Sequence, residues 1–275
     1  MNQSLQYVAF SRVTKADGLY ILNKYFFPPS IKVNDPLLLE MKRLESTATP
    51  PIFEFVHQNQ ENCGFQIIFH NVQSLQAHHL DIAKDPCFMA SDFLLFSETW
   101  SLPRDHIEFP NFYKIVEIPS SESSERKHSG VCIYAKKDIP ILKYEMFPDY
   151  SADIHIAVVY LQNNIRLAVL YAKPQSSTDY ILDTIEDALG YDCHDYKSIL
   201  AGDFNINLTT EDGKDFCNSM RNGNKLHLKT NPVHWTTRGR TTLDAIFSSH
   251  DLKCSGVYDS TFSSFHIPLY ARMYK

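Results

Sequence analysis

Residues 200–208, LAGDFNINL, close an apolar run and set a carboxylate, Asp203, two positions from an amide, Asn205. On extended chain, side chains two apart point to the same face. The pair can therefore meet one substrate atom: the carboxylate orients a water as base, and the amide donates to an oxygen on which charge grows. Other apolar runs end in the same way, with Asn71 after IIFH, Glu98 after LLFS and Tyr171 after LAVL. Taken singly, an Asn or Asp after a strand makes a turn or caps a helix, a lone Glu98 is solvated, and Tyr171 belongs to a core. Five such residues at successive strand ends point to a site, because strand ends are where rigid elements present side chains. Glu98 suits a hard divalent cation such as Mg²⁺, which is held by one or two carboxylates together with waters and substrate phosphate.

The elements that must position these residues are short and interleaved. FQIIFHN, DFLLFSE, VCIYAKK, HIAVVYL, IRLAVLYA, SILAGDF and TLDAIFS are apolar or alternating runs enriched in β-branched and aromatic residues, and each reads as a strand. LQAHHLDIAKDPCFMA and STDYILDTIEDALGY read as helices, the second with Ser/Thr caps and with Tyr180, Ile181, Ile185 and Leu189 at helical spacing. Interleaved strands and helices with strands in excess imply an α/β fold, two mixed β-sheets packed as a sandwich flanked by helices. Residues 45–51, ESTATPP, read as a boundary. They divide the chain into an appendage (1–45), a linker (46–62) and a domain (63–275). Residues 120–130, SSESSERKHSG, read as a polar, mobile loop.

Composition fits that plan. With 275 residues, 44% hydrophobic, 21% charged and only 9 glycines, the chain is neither collagen-like nor of low complexity, and it can bury one large core. A net charge of -6 excludes a generic cationic coat and leaves a local basic face open. The six cysteines, Cys63, Cys87, Cys132, Cys193, Cys217 and Cys254, form no C-x-x-C pair, so a zinc knuckle or small disulfide scaffold is not indicated. Neither a bilayer-spanning run nor a secretory signal is read. A soluble nuclear or cytoplasmic protein without a membrane partner is expected.

The ordered set of strings resembles the endonuclease/exonuclease/phosphatase superfamily, whose DNase I-like four-layer fold matches the sandwich above. FHNVQSL is similar to its first motif, LLFSETW to the second, HSGVCIY to the third and LAVLYAKP to the fourth; AGDFNI is close to its most diagnostic string, and TLDAIF and SSFHIP follow. Seven strings in the right order are a far more specific signal than any one. The resemblance implies that Asp203 activates the attacking water. It implies that Asn205 and Asn71 hold phosphate and metal, that Glu98 binds Mg²⁺ (Mn²⁺ as a substitute), that Tyr171 contacts phosphate, and that His266, supported by Asp244, stabilises the transition state or protonates. A carboxylate partner fixes an imidazole's tautomer and favours its charged form, which suits that last pair; outside the resemblance, His266 reads as a buried structural histidine. Two positions depart from the pattern. The family's last motif reads Ser-Asp-His where this chain has Ser264-Phe265-His266, and a frequently acidic position after Asn71 is Gln73. Two missing carboxylates lower the charge that holds a cation and weaken activity. Asp259 compensates only if its loop folds back.

Between Phe216 and Leu243 there is no acidic residue, while Arg221, Lys225, Lys229, Arg238 and Arg240 occur with His227, His234 and Trp235. Such a stretch can track a phosphate backbone and offer an indole for stacking; its bland reading is a solvated basic loop. Residues 7–22, YVAFSRVTKADGLYIL, resemble the last motif of the superfamily-one DNA helicases carried by Helitron transposons, with Arg12 as the arginine that would contact ATP phosphate. No G-x-x-x-x-G-K-[ST] occurs, so ATP is not expected as a partner. A helicase tail before such a domain resembles a Helitron-type or non-LTR retrotransposon reading frame, which would make Met1 a gene-model start. The leading expectation is a Mg²⁺-dependent DNA endonuclease of a mobile-element protein. Its alternatives are a catalytically degenerate nucleic-acid-binding relative and a phosphomonoesterase of the same superfamily.

Overall fold

The computed structural model describes residues 63–103, 105–120, 129–190, 195–258, 260 and 265–274. The helicase-like segment with Arg12, the 46–62 linker, most of the 120–130 loop, Asp259 and Ser264 lie outside the described residues. In chain order the elements are β1 (Cys63–Asn71), α1 (Leu75–Ile82), α2 (Pro86–Ala90), β2 (Phe93–Ser97), β3 (Phe112–Ile118), β4 (Val131–Lys136), β5 (Ile141–Asp149), β6 (Ile154–Leu161), β7 (Ile165–Ala172), α3 (Thr178–Leu189), β8 (Lys197–Asp203), α4 (Glu211–Asn222), β9 (His227–Leu228), β10 (Asp244–Ser248), β11 (Cys254–Val257) and β12 (Leu269–Tyr274).

These strands form two six-stranded mixed sheets, ordered β11-β12-β1-β2-β4-β3 and β5-β6-β7-β8-β10-β9. Ile67, Phe69, Leu95 and Ile133 of the first sheet and Val159, Val169, Ile199 and Ile246 of the second share the core between them. On the outer face of the second sheet, Ile156, Leu170, Leu200 and Phe247 pack with Ile181 and Ile185 of α3 and Phe216 and Met220 of α4. On the outer face of the first, Ile68, Leu94 and Phe96 pack with Leu75, Ile82 and Phe88 of α1 and α2. The result is four layers, the α/β sandwich expected. Strands buried on both faces carry nearly continuous apolar runs, as β6, buried at every residue, does apart from His155, which is why they are readable in sequence.

The connections decide where the polar strand ends go. β1 and β2 are parallel, as are β7 and β8, because a helical crossover separates each pair. Parallel neighbours finish on the same edge: Asn71 is registered with Ser97, and Tyr171 with Asp203. β10 is antiparallel to β8 and begins with Asp244 opposite Asp203. β12 is antiparallel to β1 and begins with Leu269 opposite Phe69, which brings the segment just before it, with His266, to that edge as well.

Several elements differ from the sequence expectations. Residues 75–90 form two helices, because Pro86 has no N–H to continue a helix and Asp85 before it is extended. The Asp85 carboxylate instead caps α2, accepting from the N–H groups of Cys87 and Phe88. Ser177 stands at the N-cap of α3 without a side-chain cap bond. Helix α4 was not expected; Thr210 caps it by accepting from Gly213 N at 3.2 Å, with Glu211 and Asp212 in its first turn. Strands β3, β5, β9, β11 and β12 were also not expected. β5 is an edge strand that mixes exposed Leu142, Tyr144 and Met146 with Pro148, a pattern with no buried face to read.

Candidate active site

Five side chains from both sheets converge where these strand ends meet. Asn71 Nδ2 donates to Glu98 Oε1 at 2.9 Å and to Asp203 Oδ2 at 2.7 Å, bridging the two carboxylates across the sandwich. His266 Nδ1 faces the Asp244 carboxylate at 2.9 and 3.1 Å, which puts its N–H there and leaves Nε2 facing Asp203 Oδ2 at 3.8 Å. Asn71, Asp203, Asp244 and His266 are buried and Glu98 is partly buried. Tyr171, 2% exposed, lies in register beside Asp203.

Asn205 belongs to the site for a reason other than the one its spacing suggests. β8 ends at Asp203, and Asn205 has φ 51, a left-handed backbone, so strand alternation no longer applies. The loop is set instead by Asn205 N–H donating to Asp203 Oδ1 at 3.0 Å and by Asn205 Nδ2 donating to the Ala172 carbonyl at 2.8 Å. One amide N–H of Asn205 remains for a ligand. Left-handed backbone also occurs at Gln73, Ser74, Glu98 and Trp100. Such conformations are costly for these residue types and cluster at functional sites. Glycine is required nearby at Gly130, whose φ is 102 and whose added Cβ would lie 2.5 Å from Thr99 Oγ1.

Burial governs the charges. It pushes the Glu98 carboxyl upward against the hydrogen bond from Asn71, and it pushes Asp203, with help from the Asp244 charge, up to about 8. For His266 burial acts downward, but the charge and hydrogen bond of Asp244, with the charges of Asp203 and Glu98, outweigh it and raise the imidazole to about 9. Burial and the Glu98 and Asp203 charges keep the Tyr171 hydroxyl protonated. Glu98, Asp203 and His266 each offer a ligand atom within 4.8 Å of one another. Carboxylates raised by burial and by the Asp244 charge are a donor set that a hard cation would relieve, so the residues present fit a divalent metal ion.

Residues not singled out from sequence complete the frame. Trp100 Nε1 donates to Glu98 Oε2 at 3.3 Å, and its place two residues after Glu98 in SETW was the available signal. His70 donates through Nε2 to the His266 carbonyl at 3.1 Å, and burial lowers its pKa to about 3, so it stays neutral. Thr236 Oγ1 accepts from Leu243 and Asp244 N–H groups, and no sequence signal marked it.

The basic stretch divides. Thr237 bridges to His266, Arg238 N–H donates to the Phe265 carbonyl at 2.9 Å and Ile267 N–H to the Thr236 carbonyl at 2.7 Å, so Trp235, Arg238 and Arg240 flank the site. Arg240 lies over the Trp235 ring at 4.9 Å. Arg221 instead closes α4 and donates to Asn218; Lys225 bonds the Asn222 carbonyl; Lys229 pairs with Asp251 at 3.0 Å. Because β9 pairs with the end of β10 remote from Asp244, Lys225 and Lys229 sit at the opposite end of the second sheet. Arg221, Lys225 and Lys229 are thereby separated in space from Trp235, Arg238 and Arg240 of the same stretch. A cavity of about 570 Å³ lined by residues 106–114, Tyr134 and Lys137 lies at the far end of β3 and β4, with none of the converging residues in it.

The family model described as Endonuclease/Exonuclease/phosphatase family matches residues 68–264. No curated protein matches the chain in sequence. Among solved structures it is similar to the endonuclease domain of TRAS1, a telomere-specific non-LTR retrotransposon, at 14% identity and TM-score 0.57, covering 76% of this chain and 98% of that one. It is similar to the 3′-5′ exonuclease NExo from Neisseria meningitidis at 17% identity and TM-score 0.57, covering 76% and 100%. It also resembles a Neisseria 3′ phosphatase, NExo, bound to product DNA hairpin, at 17% identity and TM-score 0.53, covering 77% and 100%. At these identities the likeness is one of fold, the DNase I-like arrangement of two mixed sheets with flanking helices. Members of the matched family are typically metal-dependent nucleases and phosphatases, and no helix among the described residues is long and apolar enough to cross a membrane. With a family model spanning most of the domain and the fold to match, the chain belongs to the endonuclease/exonuclease/phosphatase family.

Proposed function

We propose that the chain is a Mg²⁺-dependent DNA endonuclease, with Mn²⁺ able to substitute, from a mobile-element protein, and that it hydrolyses phosphodiesters by in-line attack of water. The observation that carries this reading is the double bridge: Asn71 between Glu98 and Asp203, and His266 between Asp203 and Asp244. Glu98, beside Asn71, would hold the cation, which when bound supplies positive charge against a phosphate oxygen. Asp203, whose ionised form a cation held beside it would favour, accepts the proton of the attacking water. His266, charged at neutral pH and oriented by Asp244, donates through Nε2 to a phosphoryl oxygen or to the leaving group. Asn205 donates its remaining amide N–H, and Tyr171 its hydroxyl, to the same phosphate. Trp235, Arg238 and Arg240 carry the strand past the site, with Arg221, Lys225 and Lys229 reserved for a more distant contact. The N-terminal 45 residues are read as a helicase remnant, joined by the 46–62 linker, with no ATP site.

Supercoiled plasmid incubated with the protein and Mg²⁺ is expected to be nicked, and neither Asp203→Ala nor chelation should allow it. Absence of metal-dependent nicking by the wild type rejects the endonuclease. Phe265 and Gln73, standing where family members carry acidic residues, motivate a second reading, a degenerate DNA-binding relative; retained DNA binding without nicking favours it. Phosphate release from a small phosphomonoester without nicking favours a phosphatase.

A further inference from the structure

Phe265 is 44% exposed although the next residue, His266, is 6% exposed. The two rings meet edge-on, centroids 5.4 Å apart at 77°, so the phenyl is not stacked face to face on the imidazole. The neighbouring turn is shaped around it: a Cβ at Gly239 would lie 3.2 Å from Phe265 Cζ. Backbone bonds on either side, Arg238 N–H to the Phe265 carbonyl and Ile267 N–H to the Thr236 carbonyl, fix the backbone that carries the ring. An apolar ring fixed at the lip of a charged cluster calls for an apolar partner. A nucleotide offers both halves of the match, since its phosphate and its base are separated by one sugar, as His266 and Phe265 are by one peptide bond. Trp235, 49% exposed and backed by Arg240, adds a second aromatic surface on the adjoining loop.

Resting on the nuclease reading, we propose that Phe265 is a stacking platform for the base next to the scissile phosphate, and that it makes the site select unstacked nucleotides (single strands, frayed ends, mismatches) over intact duplex. Base–aromatic contact is tolerant of sequence because every base has a π-face, but it requires that the base leave the helical stack.

The test uses the full chain and three labelled DNAs: a single strand, its duplex, and the same single strand with abasic sites in place of its bases. Binding is read by anisotropy in EDTA and cutting in Mg²⁺. The wild type is expected to bind the single strand more tightly than the duplex. Phe265→Ala should weaken single-strand binding about tenfold to a hundredfold, Phe265→Trp should retain it, and Phe265→Leu, apolar but without a π-face, should not. None of these should alter binding of the abasic strand. Gly239→Ala leaves Phe265 present but displaces its ring, and should reproduce part of the alanine effect. Equal binding of the single strand by wild type and Phe265→Ala, or equal losses on normal and abasic strands, overturns the proposal. Failure of the nuclease reading looks different: no Asp203-dependent cutting of any DNA, with base-dependent binding and its Phe265 sensitivity intact, rejects catalysis and keeps the platform.

Discussion

The two ends of the second sheet are built from the same strands and answer to different demands. At one end, Asp203 closes β8 and Asp244 opens β10, and two buried carboxylates face a buried imidazole. At the other, Lys197 opens β8 and Ser248 closes β10, beside a cavity of about 390 Å³ lined by Asn163, Asn164, Lys197, Lys225 and His250 among others. Both ends contain left-handed backbone. At the far end it falls on Asn163 and Asn164, φ 60 and 56, in the hairpin between β6 and β7, where asparagine adopts it at little cost, and on Lys225, φ 55, between α4 and β9. In the loops around the site it falls on Gln73, Glu98 and Trp100, for which no local rule asks. One end follows its own turn chemistry, and the other is held by long-range bonds from Asn71, His266 and Gly130. Buried charge, more than backbone strain, therefore marks the chemically committed end.

The largest expected effect separates the ends by rate. Asp203→Ala should lower kcat about 10²–10⁴-fold, whereas Lys225→Ala should leave it unchanged; comparable losses in steady-state cleavage would erase the distinction. Next comes affinity. If Arg238 and Arg240 follow the phosphate backbone, replacing both with alanine should flatten the dependence of log K on log salt by about 0.9 per lost phosphate contact on duplex and about 0.7 on single strand. The Lys225→Ala/Lys229→Ala pair, at the more distant contact, should flatten it less. Equal flattening by both pairs would show that DNA spans the whole sheet edge, and no change with either would remove the loop from the DNA contact. Phe265→Asp restores a carboxylate to the family's pattern and should raise metal affinity in a Mg²⁺ titration of cleavage; no gain would mean that the site holds its cation without that ligand.

What could be read in the sequence follows from how local each cause is. β6 and β7 announce themselves because both faces are buried, and the polar residues closing β1, β7 and β8 stand out against such runs. Their convergence follows from parallel pairing, which the helical crossovers imply. Asn205 was placed in the site by strand alternation, yet the strand stops at Asp203 and an Asx-type turn does the positioning. β5 went unread because its exposed tyrosine, leucine and methionine break the pattern of burial. Charge alone does not say where the basic stretch lies: α4 and β9 place Arg221, Lys225 and Lys229 apart from the loop with Trp235 that pairs with His266. Thr236 binds the backbone of Asp244 from eight positions away, a relation no spacing rule contains.

The smallest expected effect lies in stability against pH, where the two ends should act in opposite directions. Despite the opposing effect of burial, Asp244 and its acidic neighbours raise His266 to about 9 from an unfolded value near 6.5. The stability this group contributes is complete below 6.5 and is lost as pH rises through about 9. Asp203, raised by burial and Asp244 from 3.8 to about 8, acts in the same sense, because the fold binds its proton where the unfolded chain has released it. At the other end, burial together with Lys197 and Lys229 lowers His250, whose contribution is present above 6.5 and is lost as pH falls below it. Melting in EDTA should therefore show Tm declining from pH 6.5 to 9, and His266→Gln should flatten that decline. His250→Gln should leave it and instead soften the loss on the acid side. Each kcal/mol corresponds to about 2–4 °C for a chain of this size, so shifts of a few degrees are expected. A Tm that climbs toward pH 9, or a decline indifferent to His266→Gln, would mean that the imidazole does not sit between the two carboxylates in the folded protein.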